Sequence, residues 1–304
     1  MREVKKSIHY WCREIREEHL TGRGVTAAVL DTGTMPHPDL AGRIAGWKDC
    51  VAGRTRLYDD NGHGTHVAGI LAGDGRCSRG AYAGMAPGAR LVPVKVLDKK
   101  GGGRIESVIR GIRYVLEERN RLGIRIVNIS IGTMPHGEDP DEEALLFWVE
   151  KLWDAGLTVV AAAGNLGPEA GTITLPGVSP KVITVGSCDE MLPGQTAGLK
   201  TRLYSGCGPT RDCIKKPDLT APGSHIYSCR HTYPAKSHVP YLPKSGTSMS
   251  TPVVAGAVAL LLEKYPEMTN LEIKLRLWAS CEDLGLPGAR QGHGRLDLAR
   301  FLAL

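Results

Sequence analysis

The chain has 304 residues, 42% of them hydrophobic, enough to bury one sizeable core without disulfide or metal staples. Its net charge of +6 is modest, and basic residues are interleaved with acids, as in Arg13-Glu14-Ile15-Arg16-Glu17-Glu18, which argues against a nucleic-acid partner. No run reaches the about 18 apolar residues of a membrane helix, and the N-terminus is charged without an apolar signal core, so the expectation is a cytoplasmic chain with no membrane partner.

Residues 1–24 read as a polar, charged N-terminal extension, predicted to pack on the surface and to limit access to a cleft. Residues 25–30 are a β-branched apolar run and predict a buried strand; 65–72 predict a helix of small residues. Then follow a strand over 90–97, a helix over 105–119, a strand over 124–131 and a helix over 141–155. Strands are predicted over 157–163 and 182–187, a long buried helix over 251–265, and a shorter amphipathic one over 270–279. Strands alternating with helices predict an α/β fold: a doubly wound, mainly parallel sheet with helices on both faces, built as one domain over residues 25–304. Sites in such sheets gather at the carboxyl ends of strands. Asp31 follows the first strand and Asn165 follows the run ending in Ala163, so both belong to one edge.

The cysteines are Cys12, Cys50, Cys77, Cys188, Cys207, Cys213, Cys229 and Cys281, an even number that permits disulfides without specifying a pairing. They contain no Cys-x-x-Cys pair, and without a signal segment the expectation is reduced thiols.

Ser245-Gly246-Thr247-Ser248-Met249-Ser250-Thr251-Pro252 sets a serine beside a glycine turn, just ahead of a small apolar run. That is a way to present a hydroxyl at the start of a buried helix. A free hydroxyl is a poor nucleophile at neutral pH and requires a base. His63, which opens His63-Gly64-Thr65-His66-Val67-Ala68-Gly69, can take its proton, and Asp31 can hold the imidazole tautomer. His63 and His66 have a spacing that metal ligands also use, but no flanking Glu completes a zinc-protease pattern.

The segments Asp31-Thr32-Gly33, His63-Gly64-Thr65-His66 and Gly246-Thr247-Ser248-Met249, in the order Asp, His, Ser, resemble the subtilisin-like serine proteases, the subtilase family. The resemblance runs from about residue 24 to 298 and includes His37-Pro38-Asp39-Leu40, Met85-Ala86-Pro87 and Lys216-Pro217-Asp218-Leu219-Thr220-Ala221-Pro222-Gly223. Gly22-Arg23-Gly24-Val25-Thr26 and Asp59-Asp60-Asn61-Gly62-His63 look like the intracellular, AprX-like branch. The resemblance implies a serine endopeptidase acting on extended polypeptides, with Asp31, His63 and Ser248 catalytic and His66 structural. It implies Asn165, in Ala161-Ala162-Ala163-Gly164-Asn165, as the oxyanion donor, joined by the Ser248 N–H. Ser130, Ile131 and Gly132, with Ala162, Ala163 and Gly164, are implied to wall the pocket before the scissile bond. A strand-like segment through Gly103 is implied on the other side of the cleft, with Ile105 and Val108 lining a pocket upstream. An extended peptide can pair with such edges.

The implied chemistry requires no cofactor. Asp39 matches a calcium-binding Asp of secreted relatives, but Asp74-Gly75-Arg76-Cys77-Ser78-Arg79-Gly80 has two arginines and no Asn, which argues against a strong calcium site. Alternatives are a pseudoprotease that binds peptides, whose triad would be substituted, and a protease dedicated to one leader peptide. An α/β-hydrolase esterase is excluded, because Gly-x-Ser-x-Gly and its Ser-Asp-His order are absent.

Overall fold

Side chains alternate along residues 26–30: Ala27 and Val29 enter one apolar cluster, Ala28 and Leu30 another. Both faces of this strand are therefore buried, which is why its sequence is an unbroken apolar run. In the computed structural model, which describes every residue except 136, 138 and 189–202, the strand is β1 (Thr26–Asp31). It is joined by β2 (Lys48–Asp49), β3 (Arg90–Lys95), β4 (Ile124–Ile129), β5 (Thr158–Ala162), β6 (Ile183–Ser187) and β7 (Leu219–Ala221). The seven form one sheet in the order β2-β3-β1-β4-β5-β6-β7, every pairing parallel. The chain winds from β1 to β3 on one side and from β4 to β5 on the other. The crevice between the carboxyl ends of β1 and β4 is thus the topological switch point, where ligands bind in open α/β sheets.

One face of the sheet is covered by α4 (Ile105–Leu122) and α5 (Pro140–Asp154), the other by α3 (His63–Ala72) and α6 (Thr247–Lys264). From Met249 to Leu262 every residue of α6 is buried, as expected of a helix apolar on all sides. The antiparallel pair β8 (Ile226–Cys229) and β9 (Tyr241–Lys244) packs against α3. The remaining helices are α1 (Arg2–Ser7), α2 (Arg13–Arg16), α7 (Asn270–Ser280), α8 (Gly288–Gln291) and α9 (Leu298–Ala303). No helix of the described residues is long and apolar enough to cross a membrane.

The long predicted elements form, with two shifts that matter. The helix predicted from 65 begins at His63, and the one predicted from 251 begins at Thr247, because Gly64 and Pro252 hide the helical pattern of the first turns. Both shifts place a reactive side chain at a helix start. The segment 102–105, predicted as a strand, is an extended loop: Arg104 is the N-cap of α4 and Ile105 its first residue.

Residues 1–24 do not merely lie on the surface. Met1, Val4, Ile8, Tyr10 and Leu20 belong to the same apolar cluster as α3 and α6. The Tyr10 hydroxyl donates to the Met85 carbonyl (2.9 Å), the Leu298 N–H donates to the Ile8 carbonyl (2.8 Å), and the N–H groups of Thr21 and Gly22 both donate to Glu263 Oε2. Val4 within a short charged helix and Ile8 just past its end are too few to register as periodicity. Ile8→Ala is expected to cost about 2–5 kcal/mol, the range for an aliphatic core truncation. The shift of the urea midpoint at unchanged slope measures it. A loss below about 0.5 kcal/mol, typical of surface positions, would return the segment to the exterior.

Candidate active site

Asp31 ends β1 and is fully buried. His63, the first residue of α3, brings its Nδ1 to 2.8 and 2.9 Å from the two Asp31 carboxylate oxygens. A carboxylate offers only acceptors, so the ring nitrogen facing it carries the proton and Nε2 keeps its lone pair. The ring is about a quarter exposed, at 24%, so it is anchored on one edge and open on the other. His63, Asn165 and Ser248 line one cavity of about 560 Å³ at the carboxyl edge of the sheet.

Ser248 is the second residue of α6. Its hydroxyl donates to the Ser130 carbonyl (3.0 Å), and the Ser130 hydroxyl donates to the Ser248 carbonyl (3.0 Å). The second bond has a cause four residues on. Pro252 has no N–H, so the Ser248 carbonyl lacks its helical donor and is free to accept from Ser130. Among the described residues no hydrogen bond joins the Ser248 hydroxyl to His63, although both side chains line the same cavity.

Asn165 Oδ1 accepts the N–H of Thr247 (2.9 Å) and its hydroxyl (3.2 Å). A backbone N–H can only donate, so the oxygen must face Thr247 and the amide NH₂ is left as a donor at the cavity. The first-turn N–H groups of α6 add further positive potential there. Gly246 permits the arrangement. Its φ is +149°, and a Cβ would stand 3.3 Å from Asn165 Nδ2. Gly64 serves the other flank, where a Cβ would lie 2.1 Å from the Gly33 carbonyl oxygen and hold α3 away from Asp31.

Two further residues organise the site. Asp59, nearly buried, receives the Thr32 hydroxyl and the N–H groups of Asn61 and Gly62 on Oδ1, and the N–H and hydroxyl of Thr65 on Oδ2. Thr32 in turn accepts the Gly64 N–H (2.9 Å). Lys95, 1% exposed, donates to the carbonyls of Thr32 and Leu97 and to Asp60 Oδ1. The sequence signal for Lys95 is its polarity at the end of an apolar strand; for Asp59, its place just before His63.

Ser130, Ile131, Gly132, Gly103, Ile105 and Val108 line the same cavity as His63 and Ser248, together with Leu97, Leu145, Leu175 and Pro176, which sequence reasoning did not assign. Val108 is also a core residue; Ile105 and Val108, three apart on α4, share a face. Ala162, Ala163 and Gly164 do not line this cavity. They are buried behind it, with the backbone of Ala163 spent on Val185 and Thr174 and that of Gly164 on Thr247 and Gly206. His66 lies apart, its Nε2 at the carbonyls of Ile226 (2.9 Å) and Leu242 (3.1 Å). Burial first, then the Lys244 charge, lowers its pKa to about 3, so it is a neutral imidazole.

Asp39 is fully buried and its carboxylate accepts the Cys77 N–H and the Tyr241 hydroxyl. Its neighbours include the imidazole of His37 and the thiol of Cys229. Calcium takes six to eight oxygen ligands, and this donor set does not fit it.

A model of the subtilase family (peptidase S8) matches residues 22–294. The serine protease AprX of Bacillus subtilis (strain 168) is 45% identical over 267 residues, which cover 84% of this chain and 60% of that protein. The thermostable alkaline protease of Halalkalibacterium halodurans is 36% identical over 279 residues, 92% of this chain and 68% of that one. Among solved structures, a cold-adapted subtilisin-like serine proteinase superposes with a TM-score of 0.71 at 31% identity, covering 91% of this chain and 89% of that one. The chain thus spans 60% of the length of AprX.

Asp59→Ala removes the acceptor for five donors around His63. It is expected to destabilise the chain by about 2 kcal/mol or more, from buried donors left unpaired, the first-turn N–H of Thr65 among them. Chemical denaturation measures this; a change within about 0.5 kcal/mol would show that the carboxylate does not tie these segments together.

Proposed function

The chain belongs to the subtilase family, and on that premise we propose that it is a serine endopeptidase that cleaves extended or unfolded polypeptides through Asp31, His63 and Ser248. The single observation that carries the reading is the cavity itself. A histidine held in one tautomer by a buried carboxylate opens onto the same space as a helix-start serine and an amide donor.

As the Ser248 oxygen attacks the substrate carbonyl carbon, its proton passes to His63 Nε2. The buried Asp31 carboxylate stabilises the imidazolium. The carbonyl π electrons move onto oxygen, where the Asn165 amide and the Ser248 N–H meet the new charge. Collapse of this intermediate expels the amine, which takes the proton from His63 and leaves an acyl ester on Ser248. Water, deprotonated by the same imidazole, then hydrolyses the ester. No step calls for a cofactor.

Substrate would lie between the loop at Gly101 to Gly103 and the segment Ser130 to Gly132, both of which line the cavity. Main-chain pairing there suits any extended sequence. Leu97, Ile105, Val108 and Leu145 make the wall between them apolar and favour hydrophobic side chains.

Ser248→Ala is expected to abolish covalent labelling by a fluorophosphonate probe while the circular dichroism spectrum is kept; a variant that labels as strongly as the parent places the nucleophile elsewhere. Asn165→Ala is expected to lower kcat by about 10²–10³, the scale known for loss of one such donor in a subtilisin, with a smaller change in KM. Peptide turnover under saturating substrate measures it, and an unchanged kcat would remove Asn165 from the oxyanion site.

A further inference from the structure

Away from the cleft, three potential ligands of different chemistry converge in the interior. One nitrogen of His37, one carboxylate oxygen of Asp39 and the sulfur of Cys229 all lie within 4.8 Å of one another. The residues are 1%, 0% and 1% exposed. They come from separate parts of the fold: His37 caps the short 3₁₀ turn Pro38–Leu40 that holds Asp39, and Cys229 ends β8. Cys229 is pressed against α3, where its sulfur would stand 2.6 Å from a Cβ on Gly69.

We propose that His37, Asp39 and Cys229 form a binding site for a thiophilic divalent transition-metal ion, of which zinc is the representative. The surroundings supply what such a site needs beyond its ligands. His37 Nε2 lies 3.0 Å from the Pro240 carbonyl, which can only accept, so Nε2 carries the proton and the ring lone pair is on Nδ1, the ligand atom. A metal-binding histidine usually donates its other ring N–H in this way. The Nδ1 lone pair now accepts the N–H of Asp39 (3.1 Å), a bond that an ion on Nδ1 would displace. The carboxylate is oriented in turn by the Cys77 N–H (3.0 Å) and the Tyr241 hydroxyl (2.7 Å). A water would complete a four-coordinate set.

Thiolate and imidazole select zinc, cobalt or copper over calcium and magnesium. Sulfur ligates such an ion as thiolate, so ion binding displaces one proton from Cys229 to solvent. The ion would tie the turn at Asp39 to β8, two segments that flank α3.

The test is a Co²⁺ titration of the full chain carrying Ser248→Ala, which keeps self-cleavage out of the readout. One equivalent should bind, with a near-ultraviolet thiolate-to-cobalt absorption band that zinc displaces. Cys229→Ala should abolish the band, His37→Ala should weaken binding by about tenfold or more, and Cys213→Ala, which removes an exposed thiol outside the cluster, should change neither. Absence of the band before any ligand is replaced, or a band that survives Cys229→Ala, overturns the proposal. Since truncating a buried residue can itself unfold the chain, Tm is read with and without zinc before replacement: a rise is expected, and an unchanged value also overturns the site.

Discussion

One buried carboxylate ties the active-site edge together. Asp59 gathers donors from the turn after β1, from the approach to α3 and from the first turn of α3 itself. Asp31 and His63 are far apart in sequence, and their contact requires that the strand end and the helix start hold a fixed relation. Asp59 supplies it by answering, with one charged group, helix N–H groups that have no partner of their own. Lys95 adds a second brace from β3 by donating to the Thr32 carbonyl. Its ammonium is buried against Asp60 and two carbonyls, which makes it a positioning group and not a solvated charge.

Helix α6 is the other half of the construction. Its burial on every side fixes its axis beneath the sheet, so its first turn can emerge only at the carboxyl edge of the strands. Pro252 releases a carbonyl for Ser130, Gly246 makes room for Asn165, and Thr247 orients the Asn165 amide. Fold stability and site geometry are the same interactions here, seen from the core and from the cavity.

The strands and helices that bury both faces were legible in the sequence, because an unbroken apolar run or a long helical stripe leaves few alternatives. The motifs around Asp31, His63 and Ser248 named residues that the fold gathers at one edge. Other features were not legible, each for a physical reason. β2 and β7 have two and three residues and owe their conformation to neighbours. The helix starts at His63 and Thr247 sit behind glycine and proline, which read as breakers in isolation. The core role of residues 1–24 rests on a few apolar side chains scattered among charges. The resting bond between Ser248 and Ser130 joins side chain to backbone across 118 positions, and no local pattern encodes it.

That resting bond bears on selectivity. While the Ser248 hydroxyl donates to the Ser130 carbonyl it does not donate to His63, so on the proposed mechanism the rate would be the intrinsic one scaled by the time the hydroxyl spends turned toward the ring. On the proposed reaction, a peptide N–H that reached the Ser130 carbonyl would compete with the Ser248 hydroxyl for it, whereas a small ester too short to reach that carbonyl would leave the bond in place. One carbonyl would then serve first as keeper and then as docking point.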